Sequence, residues 1–162
     1  MKIKPYQPHK KPWGLLILLI WLALIIEGAW PFIAWAAIRP RPILFFSILA
    51  GFILPPGKAI WLGAISGLLA DLLASRHLGL QMLSHSITAY LMALFAAKLV
   101  RPTLLTTAFA IALGSLLIEL LSALFGYPLG LHYHWSLLPP LLLGQIVLAP
   151  LALIYLRKLG LS

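Results

Sequence analysis

Glu27, Asp71 and Glu119 are the only acidic residues in this chain of 162, and each stands inside an apolar run. A carboxylate so placed is costly in an apolar medium, so it should point into protein or into a wet cavity. There it could pair with a cation, accept hydrogen bonds or, once protonated, carry a proton. Hydrolytic chemistry finds little support. The chain has no Gly-x-Ser-x-Gly elbow, no His-Glu-x-x-His stretch and no paired aspartates on neighbouring segments. No glycine-rich phosphate loop is present, which argues against an ATPase. His132-x-His134 offers two imidazoles in a loop with no cysteine in support, so a headgroup-facing loop is the better reading, and neither metal nor cofactor is expected. His85 is expected to hydrogen-bond in a bundle interior. Without cysteine there is no disulfide or thiol chemistry.

The stretch that must position Asp71 runs from Lys58 to Leu80. It is apolar up to Arg76 except for Ser66, Asp71 and Ser75. Gly63, Gly67 and Asp71 are spaced by four, which puts them in one stripe of a helix. Two glycines at that spacing flatten a face and let another backbone approach. The carboxylate sits one turn further along that face. The spacing predicts a central, inward-facing helix of a membrane bundle, with the glycines packing within the chain.

Composition fixes the medium. Hydrophobic residues make up 62% and charged residues only 9%, against roughly a quarter in soluble domains. Such a chain cannot cover itself with polar surface, so lipid is its expected solvent. The net charge of +9 comes from bases standing singly or in pairs between apolar runs. They read as topology signals and headgroup anchors, not as a nucleic-acid surface.

Residues 1–12 are basic and broken by proline, and are expected to be a cytoplasmic tail whose Lys2, Lys4, Lys10 and Lys11 attract anionic lipid. Residues 13–158 are expected to form one all-α domain of six transmembrane helices. The first runs from Trp13 to about Trp35, with Trp13, Trp30 and Trp35 at the interfaces and Pro31 ending or kinking it. Ala34-Trp35-Ala36 resembles a signal-peptidase site, but Glu27 interrupts the apolar region, so an uncleaved span is the reading preferred. After Arg39-Pro40-Arg41-Pro42 comes Ile43 to Leu54, short for a span of about 20 residues. The third helix covers Lys58 to Ser75, the fourth Leu80 to about Leu99, the fifth Thr103 to Phe125. The last covers Ser136 to Leu156, interrupted at Pro139-Pro140 and Pro150.

Six spans put both termini on one side. That side holds nine Lys and Arg, in the tail, the Lys58 turn, the Lys98–Arg101 turn and the C-terminus; the other holds Arg39, Arg41 and Arg76. The bias places both termini in the cytoplasm. Glu27, Asp71 and Glu119 then lie roughly 20–24 Å from the cytoplasmic end of alternate spans, in the outer half of a ~30 Å core. The expectation is a polar cluster around Asp71 that gathers the three acids with Arg39, Arg41 and Arg76 as counter-ions.

These features, taken in order, resemble a known family. Arg39-Pro40, a short span, Gly57-Lys58, Gly63-x-x-x-Gly67-Leu-Leu-x-Asp71-Leu-Leu and Leu78-Gly79-Leu80 resemble the rod shape-determining protein MreD family of the bacterial inner membrane. The likeness is sharpest over residues 37–90; elsewhere only the span pattern matches. Where the family commonly has an acid after the proline, this chain has Arg41, so no carboxylate role carries over to that position. The resemblance implies a non-enzymatic scaffold of the cell-wall elongation complex that binds the single-span protein MreC. It further implies association with the polymerase RodA, a penicillin-binding transpeptidase and the MreB filament. It also implies a fold similar to the substrate-binding subunits of energy-coupling-factor transporters. A vitamin-like ligand site in such a subunit is the alternative function. Small-residue faces are where a partner span, or a second copy of this chain, docks most easily: the Gly63/Gly67 face and the Gly114/Ser115/Ser122 face, with Asp71 and Gly79 as further partner-binding or helix-packing positions.

Overall fold

The structure is a computed structural model that describes residues 21–29, 41–74, 78–98, 103–131, 136 and 138–158. The basic tail, Trp13, Trp30, Trp35, Arg39, Arg76, His132 and His134 lie outside the described residues. Every regular element among the described residues is helical. Residues 21–29 form α1. There follow α2 (Pro42–Ile53), α3 (Pro56–Ala74), α4 (Leu80–Ala96), α5 (Leu104–Gly126), a 3-10 turn (Tyr127–Leu129), α6 (Leu138–Val147) and α7 (Ala149–Lys158).

Local chemistry sets the boundaries. Pro42 opens α2 in the first helical turn, where its missing N–H costs nothing. Leu54 turns extended ahead of Pro55, as a residue before proline must, and α3 starts at Pro56. Gly79 takes φ +101, a conformation closed to most side chains, and α4 begins at the next residue. Thr103 and Thr106 cap α5 reciprocally, each hydroxyl accepting the other's backbone N–H at 3.2 and 2.8 Å. The break between α6 and α7 falls at Leu148, two residues before Pro150, whose ring nitrogen cannot donate a helical bond.

The centre of the bundle is α2, not α3. Ile43, Leu44, Phe45, Ser47, Ile48, Leu49, Ala50, Gly51 and Ile53 of α2 are all buried. Its 12 residues, about 18 Å long, are apolar all round apart from Ser47, the pattern of a helix enclosed on every side. α3 turns only its small face inward and leaves Trp61, Ile65, Leu68 and Leu72 exposed. The sequence expectation of a central α3 is corrected accordingly: glycines mark close contact with one neighbour, not enclosure by several. Around α2 close α3, α4 and α5, with Ile48, Met92, Ile111, Ile118 and Leu156 in one core.

Large apolar side chains cover the outside. Leu105 is 80% exposed, Phe109 59% and Leu124 63% along a single face of α5. Among the described residues, one stretch is long and apolar enough by length and composition to cross a membrane: Leu104–Leu129, 26 residues that contain an 18-residue window of mean hydropathy 2.2.

Candidate functional site: a polar layer at one end of the bundle

Arg41 stands just before α2 and is the pivot of this layer. Its Nη1 donates to Glu119 Oε1 on α5 at 2.6 Å, and its Nε lies 3.6 Å from Glu27 Oε1 on α1. Its carbonyl accepts from Gln145 Nε2 on α6 at 3.0 Å. One residue therefore ties the start of α2 to three other helices. Glu27 does more than balance charge. Its Oε2 accepts the Ile43 N–H at 3.0 Å, so α1 supplies the cap that α2 lacks locally, since Arg41 makes no side-chain cap. The side chain of Glu119 is 5% exposed, and its short bond to Arg41 offsets part of the cost of enclosing it.

Asp71 performs the same service for α4. The residue at the N-cap of α4 is Gly79, which has no side chain with which to cap it. Asp71, 2% exposed near the end of α3, accepts from the backbone N–H groups of Gly79 at 2.8 Å, Gln81 at 3.0 Å and Met82 at 3.2 Å. Three of the amides that a helix start leaves unpaired are thereby satisfied, at the end where negative charge is favoured. The spacing from Asp71 to Leu78-Gly79-Leu80 is the length of chain needed to turn back onto that carboxylate.

The structure thus gathers Glu27, Arg41 and Glu119, and gives Asp71 to the α4 N-terminus. The two groups are joined through Gln81, whose Oε1 lies 3.5 Å from Ser122 Oγ, one turn beyond Glu119 on α5. Among the described residues the ion pairs centre on Arg41, whereas the sequence pointed to Asp71 as the centre; Asp71 there meets backbone N–H groups, and Arg39 and Arg76 lie outside the described residues.

The small-residue faces are filled by this chain's own helices. A Cβ at Gly67 would sit 2.5 Å from Met82 Cα, and one at Gly63 2.7 Å from the His85 carbonyl oxygen, so α3 and α4 are in backbone contact. A Cβ at Gly114 would meet Ile48 of α2 at 2.8 Å. Ser115 is fully buried and donates to the Ile111 carbonyl at 2.7 Å. These residues pack the chain's own helices together.

A second polar tier lies deeper. Ser47 Oγ is 2.6 Å from His85 Nδ1 and 2.5 Å from Ser66 Oγ, and Ser66 in turn donates to the Gly63 carbonyl at 2.9 Å. All three residues are at most 1% exposed. They tie α2, α3 and α4 by hydrogen bonds, which an apolar interior makes costly to leave unmade.

Sequence reasoning placed His85 in the interior but missed Ser47, Gly51 and Gln145. Each carried a signal. Ser47 and Gly51 are four apart in α2, and a Cβ at Gly51 would lie 2.6 Å from Met92 Cβ of α4. Gln145 is the one amide in its apolar segment.

A family model described as rod shape-determining protein MreD matches residues 9–159. No curated protein and no solved structure matches the chain.

Proposed function

The chain belongs to the MreD family of rod shape-determining proteins, and on that premise we propose that it acts in rod shape determination as a non-enzymatic scaffold of the bacterial inner membrane. It binds the single-span protein MreC, and through it meets the wall-synthesis enzymes RodA and a penicillin-binding transpeptidase and the MreB filament. Its six spans cross the bilayer with both termini in the cytoplasm and the Arg41 layer toward the outer face. The fold we propose with this is a bundle similar to the substrate-binding subunits of energy-coupling-factor transporters.

The observation that carries the reading is the engagement of all three acids in holding helices together. Glu27 and Glu119 meet Arg41, and Asp71 meets the α4 N-terminus. Charge used in this way supports a rigid binding partner more than a turnover site. The belt of exposed leucine, isoleucine and aromatic side chains supports a lipid environment. Because the glycine faces are filled from within, a partner span meets larger side chains on the outside of the bundle.

The test is affinity capture of the tagged chain from its native membranes, followed by identification of what comes with it. A single-span partner with the wall-synthesis enzymes is the expected outcome. Recovery with ATPase subunits and a bound vitamin-like molecule would replace this reading by the transporter one.

A further inference from the structure

His85 is held at one ring nitrogen only. Ser47 Oγ lies 2.6 Å from its Nδ1, while among the described residues no hydrogen-bonding group meets its Nε2. The hydroxyl of Thr88, three residues on along α4, is unmet in the same way. Both residues are fully buried, and their i, i+3 spacing puts them on one face of the helix. Each group is costly to bury alone, so two on one face point to a shared partner. Thr88 also passes over a local bond that its neighbours take. Ser84 and Ser86 on α4, Ser47 on α2 and Ser115 on α5 each donate to the carbonyl four residues back. The Ser84 carbonyl stands in that place for Thr88, whose hydroxyl leaves it unused.

The hydroxyl protons decide what Nε2 needs. Ser66 spends its proton on the Gly63 carbonyl. The Ser47 proton goes to Ser66 or to the Ile43 carbonyl. Neither serine has one left for His85, so Nδ1 carries the ring hydrogen and donates it to Ser47. Nε2 is then a bare acceptor. Ser115 lies at the same level. A Cβ at its neighbour Gly114 would meet Ile48, the residue after Ser47, at 2.8 Å. The Gln81–Ser122 contact of 3.5 Å fixes α4 against α5, and the chain reverses between Ala96 and Leu104. Seven residues on from Gln81 and seven back from Ser122 therefore set Thr88 level with Ser115. The Ser115 proton is engaged by the Ile111 carbonyl, and its oxygen keeps lone pairs to accept with.

We propose that one water molecule is bound between α4 and α5 as a fixed part of the core. It donates one hydrogen to His85 Nε2 and the other to Ser115 Oγ, and it accepts the hydroxyl hydrogen of Thr88. About three bonds is the usual complement of a buried water. A cation does not suit the place, because Ser47, Ser66, His85, Thr88 and Ser115 bring no carboxylate to balance it. The water ties α5 into a tier whose direct hydrogen bonds join α2, α3 and α4. The site belongs to the interior and holds whichever partner the chain binds.

The experiment is X-ray hydroxyl-radical footprinting of the full chain in detergent, read by mass spectrometry. Radiolysis of a bound water oxidises the side chain beside it, so His85 should be labelled although it is fully buried. Thr88→Val keeps the shape without the hydroxyl and should lose most of that label, whereas Thr88→Ser should keep it. Thr107→Val removes another unmet hydroxyl, eight residues before Ser115 and so about 12 Å away, and should leave the label intact. An unlabelled His85 in the wild type, a label that survives Thr88→Val, or an equal loss in Thr107→Val would each overturn the site. A second measurement needs no variant at residue 88. In the chain carrying nitrogen-15 histidine, the ring signals absent from His85→Leu belong to His85. Their shifts should show hydrogen on Nδ1 and a hydrogen-bonded, hydrogen-free Nε2. Hydrogen on Nε2, or an Nε2 shift free of any hydrogen bond, would overturn the assignment.

Discussion

Arg41 and Glu119 are 78 positions apart in the chain and meet at 2.6 Å. That contact joins the head of the central helix to α5, the longest of the described helices. It is flanked by Glu27 and by the Gln145 amide, so four helices converge on a single guanidinium and its backbone. The bond is short and its acid is nearly enclosed.

Glu119→Gln should destabilise the bundle severely. Removing one member of an enclosed ion pair typically costs about 3–5 kcal/mol. Glu27→Gln should cost less, because its side chain is 18% exposed and its distance to Arg41 is 3.6 Å. Thermal unfolding of the detergent-solubilised variants orders the two. Equal shifts would show that the pivot is not where the geometry puts it.

Asp71→Ala should loosen the start of α4. A lost cap typically costs about 0.5–2 kcal/mol, and here three backbone amides are uncovered at once. Asp71→Asn keeps one acceptor oxygen and should fall between wild type and alanine. Hydrogen exchange at Gly79, Gln81 and Met82 reads the effect directly. Protection unchanged in Asp71→Ala would contradict the cap.

Gly67→Ala should already be damaging, since the added methyl meets backbone atoms of α4 that cannot step aside. Gly57→Ala is the control. A Cβ there meets nothing within 4 Å, so stability should be unchanged. Comparable unfolding temperatures for the two variants would mean that α3 and α4 are not in backbone contact. A loss of partner binding in Gly67→Leu is to be read together with the stability of that variant, because the face is internal.

His85→Leu should break the deeper tier without touching the Arg41 layer. It removes the ring nitrogen 2.6 Å from Ser47 Oγ, leaving the Ser47–Ser66 contact to hold α2 and α3. A cost of about 1–3 kcal/mol is expected for a buried hydroxyl that loses a partner. Combined with Glu27→Gln, the two effects should add, as they do for sites without shared partners. Strong non-additivity would show that the two polar tiers form one network.

Much of this architecture is legible in residue types and spacing. Prolines at 42, 56 and 150 and glycines at 79 and 126 fall at helix ends or breaks, so the helix order follows from punctuation alone. The stripe Gly63, Gly67 shows that a backbone comes close on that side. What spacing could not give is which backbone, because that depends on how the chain returns after Gly79. For the same reason Asp71 read as a centre for arginines. The partners it meets among the described residues are backbone amides, which every residue but proline has and no composition reveals. Glu27, Asp71 and Glu119 stand out in the sequence as rare acids at matching heights, with Arg41 among their expected counter-ions, and rarity is what makes them informative. Gln145 carried no charge and escaped notice. The enclosure of α2 was hidden by its shortness, since a 12-residue run reads as an incomplete span until its neighbours are seen around it.

The central claim is that this chain works by binding a membrane partner. The most direct test is size-exclusion chromatography of the purified chain mixed with purified full-length MreC from the same cell, in one detergent. The account predicts co-elution of the two as one species, with wild-type helical content retained. Separate elution of a folded chain and its intended partner would contradict it.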